Sequence, residues 1–483
     1  MARVNFADTE PAENEFFEEY DKYSGTLNCW LVLIFILRSF APLCLAVQIA
    51  PFEFRESIEM YLKDFSTKHN GSHGFNLSLF KCHKEKHDNI TEAASLHKRA
   101  VPECTLTELV LKMICFKAVG FCSGALIGGI LSDIHGRRIT CLSLSIIWNF
   151  CTWSLTMSPM EYMVEMFYIV TVMCCSAINV VTFVNFAEIT SRKTRILSIF
   201  SISSYTIGDH FFHNLSRKIT TWKYLQSFVA STMSIMIFAC WYIPESPRWL
   251  LNKNKRKAAY EQLNDVSGLI YNINTPPHHE DPNLKKTFVP CEMFLFLYQR
   301  VLKDFVIFNL LVSISSLTYT SGKLKAILHY VHTDELEFLT TVAEGIGFLF
   351  FIPVYMFLGN RFGLFFVYML LAIEVLLALL TYDFLQALYF NVFGMALGIT
   401  TLSLIWFYIL DVFPTFLRGT AVGCAFSIYG VATAGGVFLV NQVEKYKEFN
   451  YYLTIFVAAL LGLSVLALPN TANKELPNFK LNR

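Results

Sequence analysis

The sequence predicts an all-α membrane protein with twelve transmembrane helices in two pseudo-symmetric six-helix halves. Three observations predict it. Apolar runs lie near 28–50, 106–131, 139–157, 162–186, 196–216, 225–243, 305–327, 337–358, 363–381, 384–410, 417–440 and 450–469. About 20 such residues cross a bilayer core, and the third, sixth and ninth runs are the short ones. A charged hinge, GGILSDIHGRR from Gly128 to Arg138, separates runs two and three and is echoed by FLGNRFG, whose Gly363 follows Gly136 by 227 residues. Finally, Glu188 and Arg195 stand seven residues apart, as do Asp411 and Arg418, the two pairs being offset by 223. A duplicated membrane unit marks a transporter built from two related halves.

Composition agrees. The 483 residues are 54% hydrophobic and only 16% charged, where soluble domains carry about 25% charged residues. A net charge of +1 offers no attraction to nucleic acid. The expected partners are the lipid bilayer and a small organic solute. Oligomeric state is not readable from the sequence.

The elements follow in chain order. Residues 1–27 are acidic and lack a basic start before a short apolar core, so no cleavable signal peptide is expected. A first half spans 28–243 and includes a long outer loop, 51–105. Residues 244–304 form a linker, 305–469 the second half, and 470–483 a tail. Orientation follows from short-loop cations: Arg137 and Arg138 after run two, Arg192, Lys193 and Arg195 after run four, and Arg248, Lys253, Lys255, Arg256 and Lys257 after run six. By the positive-inside rule these face the cytoplasm, with both termini. Loop 51–105 then lies outside, where Asn70, Asn76 and Asn89 head glycosylation sequons. A further sequon at Asn214 abuts the membrane. Cys82 and Cys104 share the oxidising side and are candidates for a disulfide. The remaining cysteines read as small apolar packing residues. In the linker, Lys253 to Tyr271 reads as a basic, partly amphipathic helix on the inner leaflet. The Pro276–Pro277 and His278–His279 stretch reads as a connector. A His pair alone makes no metal site, and no metal is expected.

Charges at the inner helix ends suit their own helices poorly. Asp133 and Glu188 stand at C-terminal ends, and Arg195 and Arg418 at N-terminal ends, each against the macrodipole. They make sense as an inner gate, where Glu188, Glu245 and Asp411 meet Arg137, Arg138, Arg195, Arg248 and Arg418 across the halves. The alternative is a set of solvated loop charges worth about 0–1 kcal/mol per pair. Asn360 holds the position in the second hinge that Asp133 holds in the first.

Charges within the runs are the site candidates, because each costs at least ~2.5–3.5 kcal/mol at the bilayer centre. Arg38 lies about 15 Å into run one. Pro42, four residues on, leaves the Arg38 carbonyl without its helical donor. A kinked, charged spot facing a substrate cavity is one reading, and an arginine locked to a structural acid is the other. Ser198, Tyr205, Asp209 and His213 form one helical stripe in run five. Asp209 and His213 are candidates for proton coupling or the wet outer end of a helix. Glu344 and Glu374 are deep, with no partner evident in the sequence. Tyr319, Trp406 and Tyr408 are candidate cavity aromatics. No P-loop, H-E-x-x-H, paired C-x-x-C or nucleophile elbow occurs, so neither an enzyme nor a cofactor is expected.

Several motifs together resemble the major facilitators, specifically the organic cation/anion transporter family. Gly129, Asp133, Gly136, Arg137 and Arg138 match G-x-x-x-D-R-x-G-R-R, with Ile134 in place of Arg. PESPRWLL from Pro244 fits this family and sugar porters alike. WKYLQ at Trp222 resembles W-R-x-L-Q, with Lys223 for Arg. DVFPTFLRG at Asp411 resembles E-x-Y-P-T-x-x-R, and LPNTANKELP at Leu468 resembles the closing L-P-E-T-x-N-x-x-L-P, with Asn470 for Glu. The match runs from about residue 106 to 478. The resemblance implies a carrier working by alternating access, driven by gradients or by facilitated diffusion. In that family the inner charged contacts hold the outward-open state. A residue twelve beyond the Arg of P-T-x-x-R tends to be acidic in cation carriers and basic in anion carriers. Here it is Gly430, so the usual selector is missing, and Arg38 is the nearest substitute. An anionic or zwitterionic substrate is therefore favoured. A sugar or polyol porter, and a transport-silent receptor or regulatory protein of the same fold, are the alternatives.

Overall fold

The structure is a computed structural model. It describes residues 29–49, 103–158, 160–191, 194–219, 221–253, 255–267, 302–329, 334–380, 384–443 and 447–469. The expected glycosylation sites Asn70, Asn76 and Asn89 lie outside these residues, as does Cys82. The backbone of Cys104 is described within a helix, its side chain is not.

The described chain is helical throughout. Its first part comprises α1 (Cys29–Ile49), α2 (Glu103–His135), α3 (Arg137–Met157), α4 (Glu161–Ile189), α5 (Leu197–Lys218) and α6 (Trp222–Tyr242). Two short helices follow, α7 (Pro247–Asn252) and α8 (Arg256–Ser267). Then come α9 (Leu302–His329), α10 (Asp334–Leu380), α11 (Phe384–Val412), α12 (Thr415–Val443) and α13 (Lys447–Val465). Among the described residues, seven helices are long and apolar enough to cross a membrane. Counting α10 as two segments about Gly359, the long helices follow the twelve apolar runs.

Both hinges are made by glycine, at different places in the repeat. Gly136 ends α2 with φ 107° and starts α3. In α10 the break falls at Gly359, φ 70° and ψ −176°. The sequence echo points instead to Gly363, which stays helical and packs close to Val354. Positive φ costs an L side chain steric energy and glycine none, so either glycine could take the break, and the structure puts it at Gly359.

Packing repeats between the halves. Helix α1 packs on α5 and α4 as α9 packs on α12 and α11. Helix α2 packs on α4, and α3 on α6, as the two segments of α10 meet α11 and α13. Helix α4 is buried almost throughout its second half, from Cys174 to Ile189. Burial on all sides, the polar Ser176, Asn179, Thr182, Asn185 and Glu188 included, fits a helix surrounded by others. Outward faces carry exposed Ile, Leu and Phe, such as Phe150, Phe238 and Phe357, as lipid contact requires. Cys44, Cys141, Cys151, Cys174, Cys175 and Cys240 are buried as small packing residues.

Between the halves, α2 and α12 run antiparallel in contact. A Cβ on Gly423 would stand 2.5 Å from the Ala125 carbonyl, and one on Gly419 would stand 2.5 Å from Ser132 Oγ. Gly419 and Gly423 thus let two backbones touch, the small-xxx-small arrangement that permits close helix crossing. Gly120, Gly124 and Gly128 do the same on the other face of α2, against Ile169, Met173 and Ala177 of α4.

Candidate functional site

At the hinge end of the bundle, six charged side chains are buried together. Glu188, in the last turn of α4, is held by two arginines. Arg137, the first residue of α3, gives Nε at 3.1 Å and Nη2 at 3.2 Å to its two oxygens. Arg418, in the first turn of α12, gives Nη1 at 2.9 Å. All three side chains are fully buried. Arg137 also donates to the carbonyls of Ser132 at 3.0 Å and Thr415 at 2.9 Å. Arg418 Nε donates to the Leu410 carbonyl at 3.1 Å. The guanidinium fork is what permits several such bonds from one side chain.

Asp133 joins the cluster from the end of α2. Its oxygens accept the backbone N–H groups of Gly419 at 3.2 Å and Thr420 at 2.8 Å, and the Thr420 hydroxyl at 2.8 Å. Arg137 lies 3.1 Å from it. A carboxylate that sits poorly at the end of its own helix is thus received by the amide-rich start of a helix in the other half.

A second cross-half contact lies alongside. Arg195 gives Nη1 to Asp411 Oδ1 at 3.0 Å, and Asn360 gives its amide to Oδ2 at 2.7 Å. The second hinge therefore braces its own half's acid with a neutral donor.

Glu245 works mainly through backbone. It accepts N–H groups from Arg137 at 2.7 Å, Arg138 at 3.2 Å and Ser246 at 3.1 Å, capping the start of α3. Burial, partly offset by these donors, pushes its carboxyl above the usual range. A Cβ at Gly136 would meet Glu245 Oε2 at 2.6 Å. The exposed Arg138 donates to the Trp241 carbonyl at 3.1 Å, and Arg248 is buried in α7. Trp249 Nε1 donates to the Asp133 carbonyl at 3.2 Å.

Deeper in the bundle the expected cavity residues divide. Arg38 is buried, donates to Thr182 Oγ1 at 2.6 Å, and lies 5.5 Å over the Phe183 ring. Its Nε has no hydrogen-bond partner among the described residues. Trp406 stacks on Phe426 at 4.9 Å and meets Tyr429 edge-on at 5.6 Å. Phe426 faces Phe183, and Tyr429 faces Phe121, each at 6.1 Å. These contacts cross between the halves. Gly430 belongs to this layer, for a Cβ there would meet Phe121 Cδ1 at 2.5 Å. Space for a selector side chain at 430 is thus taken by a ring from the other half.

Tyr319 donates to Glu344, whose second oxygen accepts Thr206 Oγ1 at 2.9 Å, again across the halves. Asp209 is half-buried one turn beyond Thr206, and the side chain of His213 lies outside the described residues. Tyr408 is turned away from Trp406. It packs edge-on to Phe308 at 5.0 Å and donates to the Pro469 carbonyl. Two residues along a helix turn a side chain about 200°, which separates these two candidates. Glu374 lies against the notch left by Gly394.

Sequence reasoning missed Thr420, Thr206, Phe121, Phe183 and Phe426. For Thr420 a signal was available: it lies within the G-x-x-x-G of Gly419 and Gly423, which marks a close crossing. The aromatic partners carry no such mark in an aromatic-rich chain.

Comparison with known proteins adds an independent line. The chain is 23% identical to solute carrier family 22 member 6-A of Xenopus laevis, over 74% of this chain and 66% of that protein. It is 26% identical to human solute carrier family 22 member 2, over 31% of this chain and 27% of that protein. The matches thus span less than two thirds of either relative. Among solved structures, the proton:xylose symporter XylE bound to 6-bromo-6-deoxy-D-glucose superposes with a TM-score of 0.64 at 15% identity, covering 92% of this chain and 97% of that one. The human organic anion transporter MFSD10 gives 0.59 at 13% identity, covering 91% and 98%. At such identities the likeness shows the fold. The family model described as Major Facilitator Superfamily matches residues 113–437, the stretch that holds both hinges and every cross-half charge described above, and the chain belongs to that superfamily.

Proposed function

We propose that this protein is an alternating-access carrier of a small organic anion or zwitterion, and that the fold described is its state closed at the cytoplasmic side. One observation carries the reading: Glu188 of the first half is held by Arg418 of the second, beside the matching Arg195–Asp411 contact. Three acids, Asp133, Glu188 and Asp411, face three bases, Arg137, Arg195 and Arg418. Taking charges out of water costs about as much as their attraction returns, so such a buried set adds little net stability. Removing one partner strands the others. That balance suits a latch, because parting the halves returns every charge to water. The positive-inside rule supports a cytoplasmic hinge end and cytoplasmic termini, and the membrane proposed is the plasma membrane.

Arg38 supports the substrate class. Its guanidinium is fixed on Thr182, six residues and about 9 Å along α4 from Glu188. Carboxylates and sulfates are bound by such a group through charge-assisted bonds. Uptake of mixed labelled anions, cations and zwitterions into proteoliposomes tests the reading. Uptake of an anion or zwitterion, abolished in Arg38→Ala and partly restored in Arg38→Lys, is expected. Preferential uptake of simple cations, unchanged in Arg38→Ala, refutes the substrate class. No uptake of any solute by protein that is folded and correctly inserted favours a transport-silent receptor.

A further inference from the structure

The turn between α7 and α8 carries a concentrated, exposed positive charge. Lys253, Lys255, Arg256 and Lys257 are all exposed, within five consecutive residues. Glu261, also exposed, is the next acid along α8. The turn is built, not loose: Lys253 N–H bonds the Trp249 carbonyl at 3.0 Å, and Lys255 N–H the Leu250 carbonyl at 2.9 Å. Beneath it lies the buried Trp249, with Lys253 Nζ 5.8 Å and Lys255 Nζ 5.4 Å from its ring centre. The indole sets both ammonium groups on one platform.

Depth in the membrane follows from neighbours. Trp241 and Tyr242 end α6 with 59% and 69% of their surface exposed. Tryptophan and tyrosine in that place mark the headgroup level. Arg138 bonds the Trp241 carbonyl, and Ile139 beside it is an exposed apolar side chain. The cationic turn begins eleven residues after Tyr242 and is anchored to the same hinge, so it stands at the rim of the leaflet.

The platform is also wired to the latch. Trp249 Nε1 donates to the Asp133 carbonyl, and its ring fills the space a Cβ on Gly136 would need. Lys253 is held below the usual lysine range, by burial first and then by Arg137, with Asp133 acting the other way. Trp249 holds the backbone of Asp133, whose carboxylate accepts the Gly419 and Thr420 N–H groups of the second half, so an anion that fixes the turn also steadies that contact.

The geometry points to a binding site for the headgroup of an acidic phospholipid of the cytoplasmic leaflet, formed by Lys253, Lys255, Arg256 and Lys257 on the Trp249 platform, whose occupation favours the closed latch. The coupling rests on the orientation and latch proposed above, whereas the binding site itself needs only the orientation. Two readouts on the full chain in nanodiscs separate these parts.

The first is retention of phosphatidylserine from mixed phosphatidylcholine–phosphatidylserine discs, measured by native mass spectrometry. Each Lys→Gln change at 253, 255 or 257 is expected to weaken retention about fivefold, as a juxtamembrane cation contributes roughly that factor. The triple Lys→Arg variant retains it. Equal retention in the wild type and the triple Gln variant overturns the site. The second readout is hydrogen exchange at the amides of residues 415–420. Phosphatidylserine slows it in the wild type and not in the triple Gln variant. Retention without slowing leaves the site standing and overturns the coupling. Slowing by inorganic phosphate in pure phosphatidylcholine discs, equal to that by phosphatidylserine, overturns the assignment to lipid.

Discussion

Glu188 and Arg418 meet across the halves at 2.9 Å, and Asp411 and Arg195 meet across them at 3.0 Å. Glu188 and Asp411 occupy equivalent places in the repeat, as do Arg195 and Arg418. The two contacts are therefore one contact made twice, exchanged by the pseudo-twofold axis, with residue i meeting j and j meeting i as in a symmetric dimer. Asymmetry enters through Asp133 and Arg137, whose counterparts are Asn360 and Leu364.

Arg418→Ala removes one of the two arginines on Glu188 and exposes the hinge end. Breaking a buried pair from one side costs about 3–5 kcal/mol, more than a latch of near-balanced terms holds. Faster labelling of a cysteine placed near the inner mouth, with reduced uptake and normal surface level, is the expected outcome. Arg418→Lys recovers part of the effect, since an ammonium cannot reach Glu188 and the Leu410 carbonyl in the same fork. Labelling and uptake both at wild-type values count against the latch.

Gly419→Ala tests the helix crossing instead of the charge. The new methyl would stand 2.5 Å from Ser132 Oγ and 2.7 Å from Asp133 Oδ1. Such overpacking costs about 1–3 kcal/mol, and it acts only where α2 and α12 touch. The variant is expected to favour the open inner mouth while melting close to wild type. A closed mouth in Gly419→Ala would mean the crossing is looser than described.

Asp133→Asn keeps the shape and loses one acceptor together with the charge that faces Arg137 at 3.1 Å, while Glu188 still holds that arginine. The carboxylate now serves two amides and a hydroxyl, and Asn offers a single acceptor oxygen. A smaller opening than that of Arg418→Ala is expected, and Thr420→Val, which removes one hydrogen bond worth about 1 kcal/mol, should be smaller still. The ranking of the three variants by inner-mouth labelling checks this.

Orientation has its own test. Glycosidase treatment of surface protein should lower its apparent mass, and replacing Asn70, Asn76 and Asn89 together should abolish the shift. A wild type without any shift argues against an outward loop 51–105 or against use of those sequons.

The repeated charges of the proposed latch could be picked out in the sequence, and which acid meets which arginine could not. Repetition singled out Glu188, Arg195, Asp411 and Arg418, and the macrodipole argument gave the reason each needs a partner elsewhere. Pairing depends on how two helix bundles meet, which no local pattern encodes. The same limit explains Glu245. The charges alone set it against arginine side chains across the halves, whereas the turn at Gly136 presents it with the free N–H groups of α3 in its own half. Gly430 read as a lost selector because the sequence shows only what a position lacks. The ring of Phe121, 309 residues earlier, fills it. Depth was readable for Arg38 and Glu344, since burial of charge in an apolar run needs no tertiary knowledge. Their partners, Thr182 for the first and Tyr319 with Thr206 for the second, come from other helices. Tyr408 was grouped with Trp406 by proximity in sequence, which helical geometry undoes.

The exchanged pairing bears on how far the two hinges can differ. A homodimer of one half would form both contacts from a single acid and a single arginine. In such a dimer every substitution strikes both hinges at once. Joining the halves in one chain removes that coupling: Asp133 can stay while its counterpart is Asn360. The difference between the hinges is thus one that a homodimer of identical halves could not carry.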